Sequence, residues 1–274
     1  MWKKRKSSAG RHYSLRNKRV FRWVILRLIR GWSPEQISGR MKLVFKKDPA
    51  MRICPEIIYS LIYSDGYKDR KFWEYLPRGR KKRRKKGGRG IHKGSIPGRV
   101  SIRLRPDIIN RNIQFGHFEG DTVEGKGHKS GVHTEVERVS RKLFVEKVKS
   151  ITSDEAVKAQ VKISSDLPVN ARKSTTLDNG KENHLHYELK NLGIDTYFAD
   201  PYLSWQRGSN EYHNGLLRRY FPKGTDFDKV AQKEIDDCVN EINNRPRKCL
   251  GYSTPNEVFF AKLNNQKVAI RSRM

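Results

Sequence analysis

The chain has 274 residues, of which 35% are hydrophobic and 32% charged, and it carries a net charge of +30. This length suits one large domain or two modest ones, and the hydrophobic content is sufficient for a core. Its three cysteines show no CxxC spacing, which argues against a disulfide framework or a zinc knuckle. No apolar run approaches the roughly 20 residues of a membrane span, so we expect a soluble, cytoplasmic protein that binds no membrane.

The positive charge is concentrated in the N-terminal part of the chain. Residues 1–114 contain 33 Lys and Arg against 7 Asp and Glu, whereas residues 115–274 contain 26 against 22. A basic part joined to a near-neutral part is typical of nucleic-acid-binding proteins, although ribosomal proteins share such a charge. Nine of the twelve residues at 78–89 are Lys or Arg. Their mutual repulsion predicts a disordered segment that binds phosphate, and a nuclear-localisation tract has the same composition.

Three short helices are predicted after a basic N-terminal arm at 1–18. Apolar residues recur at helical spacing in 19–30, and Gly31 ends that helix. The tetrapeptide SPEQ that begins at Ser33 is a capping box, so a second helix is expected to run to about Met41. A third helix is expected at 55–64.

These helices suggest a helix-turn-helix domain at 19–76, with the third helix as the recognition helix. The connection 42–54 is longer than the usual turn of three or four residues, so an ordinary three-helix bundle is equally compatible with the pattern. A basic disordered linker is expected at 77–110. Repulsion between its charges disfavours regular structure in the first half, and Pro97 and Pro106 disfavour it in the second half.

The pattern changes at Phe115 to that of an α/β domain. Alternating apolar residues and turn signals predict three consecutive antiparallel strands, followed by helix, strand, helix, strand and two helices. The expected strands lie at 115–123, 132–140, 142–150, 174–177 and 195–198, and the expected helices at 155–166, 185–192, 208–221 and 228–243.

The stretch SWQRGSNEYHNGLLRRYFPKGTDF predicts a loop and then a short helix that Pro222 and Gly224 end. Glu211, Asn214 and Arg218 are spaced i, i+3 and i+7, so they share one face of that helix. The face expected to pack inward consists of Tyr212, Leu216 and Tyr220.

Three acids stand where a metal-dependent reaction would place them: Asp121 on the first strand, Asp178 after the fourth strand, and Glu211 at a helix start. Three carboxylates repel one another unless a cation neutralises them. Oxygen ligands suit Mg²⁺ or Mn²⁺, and two such ions can promote an in-line phosphoryl displacement, with Asp121 as the acid that bridges them. Glu119 lies on the same strand face as Asp121 and is a rival, and Glu124 and Asp200 are further acids nearby.

Each acid also has an ordinary structural interpretation. Asp121 is compatible with a turn, and Asp178 in the sequence Asp-Asn-Gly with an Asx turn. Glu211 is compatible with an acid that compensates the helix dipole. The spacing of the residues does not decide between these interpretations and a metal site.

The blocks GHFEGDTVEG, TTLDNGKE, SWQRGSNEYHNGLLRRYFPKGTDF and NNRPRKCLGYSTPNEVF resemble those of bacterial insertion-sequence transposases of the IS30 family, within the DDE transposase and retroviral integrase superfamily. The resemblance covers about residues 31–259. It implies an RNase H-like catalytic core at 111–262, followed by a basic tail at 263–274. It also places the three catalytic acids at Asp121, Asp178 and Glu211, in preference to Glu119. The stretch GWSPEQISGRM resembles the family's helix-turn-helix.

The resemblance implies a DNA transposase that uses Mg²⁺ or Mn²⁺. Such an enzyme frees a 3′-OH at the element's end, and that hydroxyl then attacks a target phosphodiester without a covalent enzyme intermediate. Its expected partners are double-stranded DNA, as element ends and target, and further copies of the chain in a synaptic homo-oligomer associated with the bacterial nucleoid. The expected DNA contacts are Trp205, Gln206, Arg207, Asn210, Asn214, Arg218 and Lys223 near the site, and Arg80, Lys81 and Arg83 in the linker.

The sequence departs from the family pattern at three places. Little precedes Arg19, where the family usually has another helix-turn-helix for recognising element ends. Cys54 stands where Ser is common, so a poorer helix cap is expected, and Phe118 replaces a usual Trp. An alternative is therefore a truncated remnant that binds DNA without transposing, and a third possibility is a metal-dependent nuclease without strand transfer.

Overall fold

The computed structural model describes residues 17–76, 96–201 and 203–265. The chain divides into two compact units. Of the described residues, 17–76 and 246–253 belong to the first unit, and the others belong to the second. The predicted arm before residue 17, the linker residues 77–95 and the tail after residue 265 lie outside the described part of the chain.

The first unit contains the three helices that the sequence predicts. They are α1 (Lys18–Ile29), α2 (Pro34–Val44) and α3 (Pro55–Ile62). Their apolar faces bury a common core that includes Val24, Leu28, Ile37, Met41, Ile58 and Leu61. The helices themselves are confirmed, whereas their assignment as a helix-turn-helix stays a prediction.

Capping explains where α2 begins, but not where α3 does. The Ser33 side chain accepts a hydrogen bond from Gln36 N, and the Gln36 side chain accepts one from Ser33 N, so the predicted capping box is present. Cys54 stands at the N-cap of α3 and makes no capping hydrogen bond with its side chain. This agrees with the expectation that Cys54 caps poorly.

Residues 246–253 belong to the first unit, although the sequence placed them in the catalytic core. Gln36 Nε2 donates to the carbonyl oxygen of Pro246 at 2.9 Å, and Arg40 Nη1 donates to that of Tyr252 at 3.1 Å. The ring of Tyr252 packs so closely on Gly39 that a Cβ there would overlap it. These contacts join positions more than two hundred residues apart, which local sequence patterns do not reveal.

The second unit is built on a five-stranded sheet in the order β3-β2-β1-β4-β5. Its strands are β1 (His117–Glu124), β2 (Gly131–Glu137), β3 (Leu143–Val148), β4 (Ser174–Leu177) and β5 (Asp195–Phe198). The first three strands are antiparallel, β4 runs parallel to β1, and β5 runs parallel to β4. The predicted strands are confirmed, and their order and directions are those expected of the RNase H-like core that the sequence resemblance implied.

Helices cover both faces of this sheet. They are α4 (Asp107–Asn110), α5 (Ser153–Ser165), α6 (Gly208–Leu217), α7 (Gln232–Asn243) and α8 (Pro255–Leu263). On one face α6 and α7 share a core with the strands, through residues such as Val132, Val145, Leu217, Ile235 and Ile242. Gln160 of α5 reaches Glu135 on the opposite face, since side chains alternate along a strand.

Three details of the helices differ from the prediction. Helix α5 begins at Ser153 and not at residue 155, with Thr152 at the N-cap, and the Ser153 hydroxyl accepts a hydrogen bond from Leu185 N at 2.7 Å. The predicted helix at 185–192 is the 3-10 segment His186–Leu192. Helix α8 was not predicted, although the capping box of Thr254 and Glu257 marks its start.

The sequence also placed residues 96–110 in the disordered linker, and here the structure corrects it. Ile96 is buried against Leu177 and Phe198. Arg105, also buried, donates from Nη1 to Thr176 Oγ1 at 2.8 Å. This stretch is therefore part of the second unit, because the sheet provides apolar and polar partners that the charge pattern does not indicate.

Buried His117 at the start of β1 gives the second unit a pH-dependent stability. Its ring nitrogens bond to Ser174 Oγ at 2.7 Å and Gln114 Oε1 at 2.8 Å, and burial lowers its pKa to about 4. Because the unfolded chain binds a proton at a higher pH, stability is present above about pH 6.5 and is lost as the pH falls toward 4. We expect this residue to contribute about 3 kcal/mol of that loss. Urea unfolding of His117→Gln should show a correspondingly smaller fall between neutral and acid pH than the natural chain, and parallel pH profiles would contradict this assignment.

No helix in the described ranges is long and apolar enough to cross a lipid bilayer.

Candidate active site

Asp121 lies on the central strand β1 and is held there by α6. Asn214 Nδ2 donates to Asp121 Oδ2 at 2.7 Å. Thr134, opposite Asp121 on β2, shares its single hydroxyl proton between Asn214 Oδ1 and the backbone oxygen of Asp121, each 3.1 Å from its Oγ1. The Thr134 hydroxyl therefore turns the amide of Asn214 so that its NH₂ group faces the carboxylate.

Asp178 follows directly after β4, the parallel neighbour of β1. The register pairs Glu119 with Thr176, so two residues further on Asp178 comes alongside Asp121 at the same edge of the sheet. Asp178 Oδ1 accepts hydrogen bonds from Gly180 N at 2.9 Å and Asn183 Nδ2 at 2.8 Å. The Gly180 bond is that of the Asx turn that the sequence suggested, and it fixes the orientation of the carboxylate.

One guanidinium joins the two carboxylates. Arg207 Nη2 donates to Asp178 Oδ2 at 3.1 Å, and Arg207 Nη1 lies 3.5 Å from Asp121 Oδ1. Nη1 also donates to the carbonyl oxygen of Gly120 at 2.8 Å, and the Arg207 side chain is only 12% exposed. The two acids therefore converge on a single positive group.

The electrostatics of the site follow from burial and from this pairing. Burial raises the pKa of Asp121, the positive charge of Arg207 opposes that rise, and the negative charge of Asp178 adds to it. Burial also raises the pKa of nearby Glu182, and Asp178 contributes to this shift. Asp121, Asp178 and Glu182 thus lie close enough to influence one another.

The third predicted acid, Glu211, is not brought into this group. It lies in α6 immediately after Asn210, and its side chain is exposed. In the described part of the chain, no three or more His, Cys, Asp or Glu side chains are grouped closely enough to hold a metal ion. The structure therefore unites Asp121 and Asp178 and leaves Glu211 apart from them.

The rival acid Glu119 has a structural role. Its side chain is buried, and it forms an ion pair with the buried Arg138. Glu119 Oε2 also accepts a hydrogen bond from Asn210 N at 3.0 Å, while Asn210 Nδ2 donates to the Glu119 backbone oxygen at 2.7 Å. These bonds attach the first turn of α6 to β1 and use both oxygens of the carboxylate.

Several predicted DNA contacts are occupied by bonds within the protein. Asn210 is 1% exposed, so its bonds to Glu119 replace the predicted DNA contact. Gln206 bonds to Asp200, and Arg218 Nη2 donates to the backbone oxygen of Glu124 at 2.7 Å. Lys223 is exposed.

The remaining predicted DNA contacts either face the two acids or lie outside the described residues. Arg207 and Asn214 face the two acids, as described above. The side chain of Trp205 and the whole of Arg80, Lys81 and Arg83 lie outside the described residues. Sequence reasoning missed Thr134, Arg138 and Glu182, which contact or lie near the residues of the site. Only Glu182 could have been found from the sequence, because it stands four positions after Asp178 in the block TTLDNGKE.

The inward face of α6 also differs from the prediction. Tyr212, which was expected to pack inward, is 51% exposed. The buried residues of α6 are Asn210, His213, Leu216 and Leu217. Leu216 is buried in the core and Tyr220 packs against it, as predicted, so only Tyr212 departs from the expected face. Asn210 and Asn214 of the same helix bond to β1.

Comparison with known proteins places the chain in a family. It is 40% identical over 250 residues to the transposase for insertion sequence element IS4351 of Bacteroides fragilis, covering 91% of this chain and 75% of that protein. It is 35% identical over 246 residues to transposase InsI for insertion sequence element IS30A of Escherichia coli strain K12, covering 86% and 63%. No protein-family model matches the chain.

The protein belongs to the insertion-sequence transposases, and within them to the IS30 family. The resemblance inferred from its sequence blocks is thereby confirmed, and DNA transposition is its function. The alternative of a remnant that binds DNA without transposing is not favoured. Among solved structures, the catalytic core domain of BIV integrase is similar, with a TM-score of 0.43 and 17% identity over 55% of this chain and 97% of that one.

Proposed function

We propose that Asp121, Asp178 and Glu211 are the catalytic acids of a DDE transposase that cuts the element's end and joins it to target DNA. The observation that carries the proposal is the convergence of Asp121 and Asp178 on one guanidinium, with 3.5 and 3.1 Å between the paired atoms. Two carboxylates in contact with the same cation can also share a metal ion. Glu211 is proposed from the sequence blocks, since it lies in α6 with Asn214 but apart from the acids.

The donor set fits a hard divalent cation. Mg²⁺ binds through one or two carboxylates and keeps its other positions for water and substrate phosphate, and Mn²⁺ accepts the same ligands. Asp121 and Asp178 would hold the ion, with Glu211 as the third proposed ligand. A bound ion supplies Lewis-acid stabilisation of the phosphate that reacts.

The protein's own contribution is to orient these acids in advance. Asn214 fixes one oxygen of Asp121, and Asn183 fixes one oxygen of Asp178. Because these amides hold the carboxylates before a substrate arrives, the carboxylates lose little further freedom when it binds. Asn214 is therefore proposed as a positioning residue for Asp121.

Binding of double-stranded DNA is proposed from charge. The net charge of +30 favours phosphate, and basic segments add affinity without sequence specificity. Trp205 and Lys223 on either side of α6, and Arg80, Lys81 and Arg83 in the linker, are the proposed contacts. A homo-oligomer that pairs two element ends is proposed as the active form.

Strand transfer on a pre-cut element end tests this function. The purified protein is incubated with a duplex from the DNA that flanks its gene, ending in a free 3′-OH, and with a target plasmid. We expect joined products with Mg²⁺ or Mn²⁺ and none with EDTA, while a mobility-shift assay shows DNA binding in both. Joining at an equal rate in EDTA would contradict metal-dependent chemistry, and binding without joining under any condition would contradict the proposed strand transfer.

A further inference from the structure

Arg207 takes up the position between Asp121 and Asp178 in which the proposed function requires a cation. Its two terminal nitrogens contact two different carboxylates, Nη1 with Asp121 Oδ1 and Nη2 with Asp178 Oδ2. The Arg207 side chain is 12% exposed, whereas those of Asp121 and Asp178 are 25% and 34% exposed. The guanidinium is thus the most enclosed member of the group.

The oxygen of Asp121 that faces Arg207 is the one that other side chains leave available. Asp121 Oδ2 accepts the hydrogen bond from Asn214 Nδ2, and Asn214 is in turn oriented by Thr134. Oδ1 is paired with the guanidinium. Asn214 therefore holds Asp121 through an oxygen that Arg207 does not contact.

The same division of oxygens holds at Asp178. Oδ1 accepts hydrogen bonds from Gly180 N and Asn183 Nδ2, while Oδ2 accepts the bond from Arg207. On each acid, then, one oxygen is fixed by an amide group and the other is paired with Arg207. A divalent ion held by both acids would need these same two oxygens.

We propose that Arg207 is a built-in counter-cation, which neutralises the two acids in the metal-free protein and competes with the divalent ion for them. This inference rests on the proposed function, because it requires Asp121 and Asp178 to be metal ligands. Arg207 belongs to the turn Ser204–Arg207 immediately before α6, and not to the sheet that carries the acids. Its displacement by a divalent ion would leave both acids bonded to their amide partners.

The physical basis is the balance of charge. Two adjacent carboxylates repel each other, and a guanidinium offsets part of that repulsion. A divalent ion offsets it more strongly but must first displace contacts to Arg207. Removing the guanidinium removes this competition, so metal binding becomes tighter. If Arg207 instead served only to hold the acids together, its removal would weaken metal binding.

Mn²⁺ binding to the full chain without DNA distinguishes these outcomes. Mn²⁺ is titrated into the natural protein, Arg207→Gln and Arg207→Lys, with free Mn²⁺ followed by electron paramagnetic resonance. The matched control is Arg103→Gln, because Arg103 Nε pairs with Asp200 Oδ2 at 3.1 Å in the same unit but is 77% exposed. Melting temperatures measured with and without Mn²⁺ show that each variant is folded and supply a second readout of binding.

We expect Arg207→Gln to lower the Mn²⁺ dissociation constant about tenfold, since a full positive charge leaves the immediate surroundings of the ion. Arg207→Lys keeps the charge without the planar fork and should lie between Gln and the natural residue. Arg103→Gln should bind as the natural protein does. Mn²⁺ should also raise the melting temperature of Arg207→Gln more than that of the natural chain.

Mn²⁺ binding by both Arg207 variants that is unchanged or weaker than in the natural protein would refute the proposal that Arg207 competes with the ion. Asp121→Asn separates this failure from failure of the proposed function. If Asp121→Asn loses Mn²⁺ binding while the Arg207 variants bind no more tightly than the natural protein, only the role of Arg207 is wrong. If the natural protein and all the variants bind Mn²⁺ no more tightly than Asp121→Asn does, the metal site and the inference both fail.

Discussion

Replacing Asp121 with Asn is expected to lower the rate of strand transfer about a thousandfold, equivalent to about 4 kcal/mol of transition-state stabilisation. Asn keeps the shape of the side chain but removes the charge that would hold the metal ion. Asp121 is the acid on the central strand and has a fixed orientation through Asn214. The measurement is the rate of joining of a pre-cut element end with Mg²⁺, because pre-cutting separates joining from the first cleavage.

Asp200→Asn is the matched control for this experiment. Asp200 is another carboxylate of the second unit that pairs with an arginine, Arg103, and it lies just before the predicted DNA contacts. We expect Asp200→Asn to join DNA at nearly the natural rate. Natural activity in Asp121→Asn, with Mg²⁺ present and DNA binding unchanged, would refute the assignment of Asp121 as a catalytic acid.

The second large effect is expected at the buried ion pair of Glu119 and Arg138. Both side chains are almost inaccessible, at 3% and 7% exposure. Arg138→Met leaves Glu119 as a buried carboxylate without its charged partner, although Asn210 N still donates to it. Such losses destabilise proteins by about 3–5 kcal/mol, so we expect a decrease of that size in the free energy of unfolding. Urea denaturation followed by circular dichroism measures it.

Two further variants test the cause of this loss. Arg103→Met breaks an ion pair whose arginine is 77% exposed to solvent, and it should cost less than about 1 kcal/mol. The double variant Glu119→Gln with Arg138→Met removes both charges and should recover much of the lost stability, because no buried charge then lacks a partner. A loss below about 1 kcal/mol in Arg138→Met, or no recovery in the double variant, would show that the pair is not important for stability.

Local patterns were sufficient for most of the secondary structure. Alternating apolar residues predicted β1, β2 and β3, and the capping box at Ser33 predicted the start of α2. These predictions succeed because the preference of a residue for strand, cap or turn depends chiefly on its near neighbours in sequence. Where partners came from distant parts of the chain, as for residues 96–110 and 246–253, the same approach assigned residues to the wrong region.

At the candidate site, too, local patterns indicated some residues, and contacts between distant residues decided the roles of others. Asp121 and Asp178 were candidates from their places on a strand and after a strand, but these places also suited ordinary structural roles. The family resemblance selected both acids and preferred Asp121 to Glu119. The roles of Arg207 and Asn214 were not found. Both were predicted to contact DNA, whereas their side chains face the two acids.

The sequence by itself determined the class of protein, the order of its strands and of most of its helices, and two candidate acids that lie side by side in the structure. These properties depend on composition, on periodicity and on blocks of neighbouring residues. Only the tertiary structure decided that Glu119 pairs with Arg138, that Glu211 stays apart from the acids, and that Arg207 joins them. The physical reason is that a side chain's partner is chosen by packing: Asn214 reaches Asp121 across 93 positions of the chain, and no local pattern encodes that contact.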